Sequence, residues 1–339
     1  MNWNNLDFLR RFVPGILASL SPADRLFVAD SGSEDGSLAY LGENHPEVGI
    51  IPLGKNYGFA EGYNRALSTI KDAEYYLLLN SDIEVGENWL EPLVKWMEDH
   101  SRCGVCGPKL HALDPDGKGG WIRTDRFEYA GAAGGWLDHY GFPYCRGRVL
   151  QSVENDHGQY DSPAKVFWIT GACLMVRSKL WNDLKGLDGE FFAHMEEIDF
   201  CWRAQLAGAE VWTVPESVVW HIGGGTLAPA SPLKLKLNYR NSIWMLRKNL
   251  PATIGPCKAR RRIALRKIID FGTQVAYLLQ GKMPYVKAVS QAHREARARK
   301  ITPTEGSSLS APTNVRIISA WAFKGKKVFD YLRRYESSN

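Results

Sequence analysis

The sequence predicts an α/β protein, a mostly parallel sheet with flanking helices, followed by a basic helical C-terminal extension. Three observations carry this. Short apolar runs bounded by turn residues alternate with helix-period segments, the pattern of strand–helix units. Several of those runs stop on polar residues, which puts polar ends along one rim of a sheet. Charge is divided along the chain: residues 1–230 hold 19 Lys+Arg against 32 Asp+Glu, a net −13, whereas 231–339 hold 23 against 5, a net +18. With 339 residues, 45% apolar and 23% charged, the chain can bury a large core, which excludes a fibre, a disordered chain or a disulfide-stapled miniprotein. An acidic body suits a cation-assisted site, and a basic tail suits an anionic membrane surface, a polyphosphate or nucleic acid.

Strands are expected at 25–29, 48–53, 75–79, 104–110, 166–176 and 211–214, four of them apolar runs ended by Gly, Asn, Asp or Pro. Helices are expected at 6–20, 34–41, 60–71, 89–99 and 196–207, several opened by Asn, Ser or Asp as caps. The opening is unusual for such a sheet, because a helix follows Met-Asn-Trp-Asn almost at once, so the pattern reads as lacking a first strand. Residues 112–165 mix Gly, Asp, Tyr and Trp without a period and read as a long functional excursion rather than core. Helical, basic patterning then runs over 231–300, a polar linker over 301–314 and a last helix over about 315–335. The expected organisation is a catalytic-type domain over 1–230, the basic extension with possible membrane-surface contact over 231–300, the linker, and a C-terminal helix within 315–339.

Six scattered cysteines and the absence of a charged, then apolar, leader lead us to expect a cytoplasmic protein. No run reaches the roughly 18 apolar residues of a membrane span, so membrane contact is expected to be peripheral.

The most informative motif is EYYLLLNSD, residues 74–82, a buried-type strand that stops at Asn80-Ser81-Asp82. Its Asp82 is placed to bind Mg²⁺ or Mn²⁺, which take oxygen ligands and bridge phosphates; a helix cap is the alternative. VADSGSEDGS ends a strand on Asp30 and Ser31, placed for a base or ribose, or else for a plain turn and cap. LGKNYGFAEGYN sets Lys55, Asn56 and Gly62 between strand and helix, where glycine and a helix N-terminus admit phosphate. Downstream, WITGACLMV leads to FFAHMEEIDFCWR. There Glu196, Asp199 and Arg203 share one helix face, a candidate ion-pair stripe, while Glu197 points about 100° away and is left for base work. His221, in WHIGG, taken alone reads as structural.

Taken in order, these motifs resemble family 2 glycosyltransferases of the GT-A fold, particularly the rhamnosyltransferase-like branch that builds bacterial surface and cell-wall polysaccharide. The resemblance runs from about residue 1 to 250. It implies a Rossmann-like nucleotide-sugar domain with Asp30 on the base, and Asn56 and Asn64 near nucleotide or sugar. Asn80-Ser81-Asp82 then replaces the usual Asp-x-Asp. It implies Asp82 and His221 as ligands of Mn²⁺ or Mg²⁺ and Glu197 as the base. Glu at that position carries one methylene more than the family's usual Asp, leaving Glu196 and Asp199 as further catalytic candidates. Donor contacts are expected from Asp30, Ser31, Lys55, Asn56, Gly62, Asn64, Asn80 and Ser81, and acceptor contacts from Trp168, Thr170 and Gly171. The implied reaction is an inverting, metal-dependent transfer from a nucleoside-diphosphate sugar to a glycan or lipid-linked glycan, on the inner face of a membrane and without nucleic acid. The alternatives are a nucleic-acid-binding protein, or an inactive partner protein, using the basic tail.

Overall fold

The computed structural model describes residues 1–223, 231–306 and 312–337. The boundary expected after residue 230, the glycines following Gly223 and residues 307–311 of the expected linker lie outside them.

Helix α1 (Leu6–Ala18) buries Leu9, Phe12, Val13 and Ile16, the i, i+3, i+4, i+7 stripe of a surface helix. Strand β1 (Phe27–Asp30), α2 (Ser37–Asn44) and β2 (Gly49–Pro52) form a parallel unit. Then come α3 (Gly58–Ser68), β3 (Tyr75–Leu79), β4 (Ile83–Val85) and α4 (Glu91–Asp99). Asn2 forms a single parallel bridge with Asp30, and the Met1 nitrogen is 3.4 Å from Leu79 O. One bridged residue therefore stands between the β1–β2 pair and β3, where the sequence pattern lacks a strand.

Strand β5 (Cys103–Pro115) is buried over its first eleven residues, as befits a central strand covered on both faces. The stretch 112–165, expected as a long functional loop or excursion rather than core, is in part core. It holds β6 (Trp121–Phe127), then β7 (Gly135–Leu137), β8 (Pro143–Cys145), β9 (Arg148–Val149) and β10 (Ser152–Val153), and finally β11 (Ala164–Lys165). Strands β7 to β10 make a separate four-stranded antiparallel sheet. Phe127, Ala132, Ala133, Leu137 and Val149 in this stretch are fully buried. Strands of two or three residues are too short to print an alternating pattern, so the sequence shows composition without period.

Two further expectations change. The apolar run 166–176 is mostly a buried loop, and β12 begins only at Cys173 (Cys173–Arg177); apolar continuity signals burial, not conformation. Strand β13 (Glu210–His221) is far longer than 211–214, because Pro215 sits in a register shift between Thr213 and Val218 instead of ending the strand. Between β12 and β13 lie α5 (Ser178–Asp183) and α6 (Glu196–Leu206).

The main sheet has the order β11-β13-β5-β12-β3, with β4 on β13 and β6 on β5. It is mixed: β13 runs parallel to β5, but β12 lies antiparallel between β3 and β5. Residues 231–306 supply α7 (Pro232–Ile254), α8 (Pro256–Leu279) and α9 (Met283–Ala298). α7 packs against α6, α8 and α9, and Trp202 Nε1 donates to Thr253 Oγ1 at 3.0 Å. The last expected helix is broken at Gly325, with φ +52°, into α10 (Ile317–Lys324) and α11 (Val328–Ser337). Val328, Phe329 and Leu332 pack on Tyr144 and Val149 of the small sheet.

Candidate functional site

Two polar ends converge where β1 and β3 terminate beside residues 1–5. Asp30, 1% exposed, accepts from Ser33 N with both oxygens, and Ser31 N donates to Asn2 O at 2.9 Å. Beyond β3, Asn80 N donates to Ala172 O at 2.9 Å, and Ser81 Oγ accepts from Asn5 Nδ2 at 3.4 Å.

Asp82 and His221 meet because of strand register. β4 pairs with β13 so that His221 stands opposite Ile83, and Ile222 N donates to Asp82 O at 3.2 Å. The carboxylate preceding Ile83 therefore faces the imidazole: Asp82 Oδ1 and His221 Nε2 are 3.1 Å apart, both groups buried. The other ring nitrogen faces Glu128, with Nδ1 3.4 Å from Oε1. Glu128, just past β6, is fixed through its second oxygen, which accepts from Ala130 N at 2.6 Å and Gly131 N at 2.9 Å. Gly223, at φ +69°, has a backbone conformation that favours glycine, and a Cβ there would lie 2.9 Å from Glu128 Oε1. Burial alone would lower the His221 pKa, but Asp82 and then Glu128 outweigh it and push it up to about 10. Burial likewise works to raise Asp82, and the charge and hydrogen bond of His221 reverse it, leaving that carboxyl below its usual range.

This donor set fits a divalent cation. With the imidazole neutral and its proton on Nδ1 toward Glu128, the Nε2 lone pair would confront an anionic oxygen at 3.1 Å. Two electron-rich atoms at that separation require a proton or a cation between them. An imidazole nitrogen and a carboxylate suit Mn²⁺ and are compatible with Mg²⁺. Among the described residues no group of three or more His, Cys, Asp or Glu side chains closes around one point. Two protein ligands would leave positions for phosphate oxygens and water.

The second half of the site is the start of α6. Phe192, His194 and Met195 precede it with φ of +66°, +71° and +74°, a strained approach of about 1–3 kcal/mol per residue. Asn241 on α7 holds it, Nδ2 reaching the carbonyls of Phe191, Ala193 and His194 at 3.0, 2.8 and 2.7 Å. Phe192 O in turn accepts from Phe59 N at 2.6 Å, joining the loop to the N-terminus of α3. Glu197 lies against Gly171, whose Cβ, were there one, would be 3.6 Å from that of Glu197 and 2.8 Å from Phe59 Cζ. Since Ala172 is bonded to Asn80, Gly171 ties Glu197 to the rim that carries Asp82.

Burial raises the Glu197 carboxyl to about 7 against the opposing pull of the α6 backbone amides. Glu196 is pushed well above its usual range by burial and then by Glu197. One oxygen of each, Oε2, is buried without a hydrogen-bond partner among the described residues. A carboxylate that ionises near neutral pH beside a cation-binding pair can combine general-base and Lewis-acid chemistry.

The structure redistributes several expected roles. The ion-pair stripe forms only between Asp199 and Arg203, at 2.8 Å. Asp199 is also bonded to Lys248 at 3.0 Å and Asn249 at 2.7 Å, so both its oxygens are occupied. Glu196 makes no ion pair in that stripe among the described residues, since Arg203, seven residues on, is engaged by Asp199 and the carbonyls of Leu184 and Gly186. Asn64 does not face the rim: Nδ2 donates to Leu187 O and Oδ1 accepts from Leu187 N. Trp168 is core, 2% exposed, its indole N–H donating to Trp136 O. Thr170 Oγ1 accepts from Ala172 N at 3.3 Å and shapes the turn before Gly171. Asn56 Oδ1 accepts from Gly58 N at 2.8 Å, an Asx turn that leads into α3. Exposed Lys55 lies 4.9 Å from the Tyr57 ring centroid. Gly62 admits Met1, whose Cε would lie 1.9 Å from a Cβ there. Glu128 and Asn241 escaped the sequence reading. Glu128 carried no periodic signal, and Asn241 sat within a helix read only for its charge.

Residues 2–156 match the family described as Glycosyl transferase family 2. The chain is 23% identical over 223 residues to the N-acetylglucosaminyl-diphospho-decaprenol L-rhamnosyltransferase of Mycobacterium tuberculosis, covering 63% of this chain and 71% of that protein. It is 23% identical over 178 residues to the rhamnosyltransferase WbbL of Escherichia coli, covering 52% and 62%. Among solved structures it is similar to GalNAc-T7 with UDP, GalNAc and Mn²⁺, with a TM-score of 0.55 and 14% identity over 71% of this chain and 45% of that one. It is also similar to Staphylococcus aureus TarS 1–349 with UDP-GlcNAc, with a TM-score of 0.53 and 14% identity over 87% and 79%. These likenesses give the fold as GT-A.

Proposed function

We propose, from the match of residues 2–156 to glycosyltransferase family 2 and the likeness to the Mycobacterium tuberculosis rhamnosyltransferase, that this chain transfers a sugar, with inversion, from a nucleoside-diphosphate sugar to a hydroxyl of a lipid-linked glycan acceptor. The observation that carries the reading is the facing pair Asp82–His221 at 3.1 Å, tied through Asn80 and Ala172 to the loop against which Glu197 packs.

Asp82 and His221 would hold Mn²⁺ or Mg²⁺, with Glu128 orienting the imidazole from its far side. When bound, the cation supplies Lewis-acid stabilisation of the charge that develops on the departing diphosphate. Glu197 takes the proton of the acceptor hydroxyl as that oxygen bonds to the anomeric carbon, while the bond from that carbon to the diphosphate oxygen breaks. One displacement leaves the anomeric configuration inverted. Unlike Glu197, Asp199 has both oxygens committed to cations and amides, so its role is to anchor α6 to α7. Asp30, Ser31, Asn80 and Ser81 border the donor side of the rim, and Gly171 lets Phe59 and Glu197 pack closely against it.

A lipid-linked acceptor is supported by the Mycobacterium tuberculosis relative, whose name specifies a diphospho-decaprenol substrate. Our reading places this transfer in surface-polysaccharide synthesis at the cytoplasmic face of a membrane, and the lipid-linked substrate named for that relative supports it. The test is slow hydrolysis of a panel of nucleotide sugars, followed by NMR with Mn²⁺ or with EDTA. The expected result is release of one sugar, inverted at the anomeric carbon and only with metal. Retained configuration, or release unaffected by EDTA, refutes the reading.

A further inference from the structure

We infer that the outward face of α8 is a docking surface for an anionic lipid bilayer. The inference stands apart from the transfer chemistry.

α8 is 24 residues long, about 36 Å. Its inward side buries Ala259, Ile263, Arg266 and Asp270, and Arg266 reaches the carbonyl of Gly141 at 3.1 Å. Its other side carries Leu265, Ile268, Phe271, Val275, Leu278 and Leu279, all exposed, with Ile268 at 66%, Phe271 at 64% and Leu279 at 83%. At 100° per residue these six fall within about 80° on either side of Ile268. No exposed position on that arc from 264 to 279 is charged. Single exposed apolar residues are ordinary, but an unbroken stripe over four turns is not. No described residue covers it.

Charge selects the occupant. Residues 256–298 contain ten Lys or Arg and only two acids, Asp270 and Glu295. Both acids are spent inside the protein: Asp270 on Arg266 at 2.8 Å, and Glu295 on Lys236 at 3.1 Å and Arg240 at 3.2 Å. Lys258, Arg260 and Arg261 are exposed at the start of α8, on the same outward arc, and Lys282 and Lys287 are exposed just beyond its end. A second copy of this face would set these cations against one another. An anionic headgroup layer neutralises them while the acyl boundary takes the stripe. Among the described residues no helix is long and apolar enough to cross a membrane, so α8 would lie in the interface plane.

The whole chain is sedimented with phosphatidylcholine vesicles and with vesicles that also contain phosphatidylglycerol. It is expected to pellet with the mixed vesicles only, less so at high salt. The Arg260→Ala/Arg261→Ala variant should bind roughly fivefold more weakly per charge removed, and Ile268→Glu/Phe271→Glu should not bind. These side chains are exposed, and an unchanged melting curve confirms that each variant is folded. Equal binding to both vesicle types, or none to either, overturns the inference. So does undiminished binding by Ile268→Glu/Phe271→Glu, or a concentration-dependent dimer which that variant abolishes.

Discussion

Replacing Glu197 by Gln keeps the size of the side chain and removes its ability to accept a proton. General-base assistance is worth about 10²–10⁴-fold, or roughly 3–5 kcal/mol at 1.36 kcal/mol per decade, and kcat should fall by that factor with little change in KM. The pH profile gives the sharper reading. Burial sets the carboxyl at about 7, so in the native enzyme about one-tenth is ionised at pH 6 and about nine-tenths at pH 8. The base is the ionised form, so the rate should drop tenfold per unit below pH 7 and flatten above it. In Glu197→Gln that acid limb should vanish, leaving a low, flat rate. Initial rates of nucleoside-diphosphate release across pH 5.5–9, with buffers matched at roughly constant ionic strength, read both effects. A variant that keeps more than a tenth of the activity, or the same acid limb, refutes the assignment of Glu197 as base.

Glu128→Gln removes the charge behind His221 while leaving space filled. Partners of this kind are worth about 10–100-fold in metal affinity, so a Mn²⁺ titration should weaken by that factor while metal-free nucleotide binding stays the same. Asp199→Asn leaves Arg203 and Lys248 facing a neutral amide in a buried setting and should cost about 3–5 kcal/mol, seen as a lower urea midpoint. The Asp199 pKa is held down, against burial, by Arg203 and then Lys248. Its contribution is therefore present above the unfolded value near 4 and lost as pH falls through the depressed folded value, an acid limb of stability that the variant should lack. Asn241→Ala frees three carbonyls of the strained approach to α6. It should cost about 1–3 kcal/mol, with kcat falling more than KM rises, because Glu197 loses its fixed position.

The parts of this molecule that the sequence declares are those whose signal is local. Asp82 is legible because β3 is a five-residue apolar strand that ends just before Asn80, and the start of α6 is legible because three acids fall in its first turn. His221 is not legible in the same way. Its partnership with Asp82, 139 residues away, depends on the register of β4 against β13, and only the family resemblance pointed to it. Glu128 is less visible still, since it is delivered by β6 pairing back on β5 inside a stretch with no period. Trp168 and Asn64 bond to neighbouring backbone, which the sequence does not reveal: a polar or aromatic residue next to a motif has the same local signature whether it faces a ligand or a neighbouring carbonyl. The mixed sheet was hidden because β12 returns without a crossover helix, so the strand–helix alternation holds no record of its direction.

The most direct measurement is calorimetric titration of the protein with UDP, dTDP and GDP, each with and without Mn²⁺, repeated on Asp82→Ala. The account predicts that one nucleoside diphosphate binds in a Mn²⁺-dependent manner and that the metal-dependent part disappears in the variant. Binding of equal strength without metal, or metal-dependent binding that survives Asp82→Ala, would contradict it.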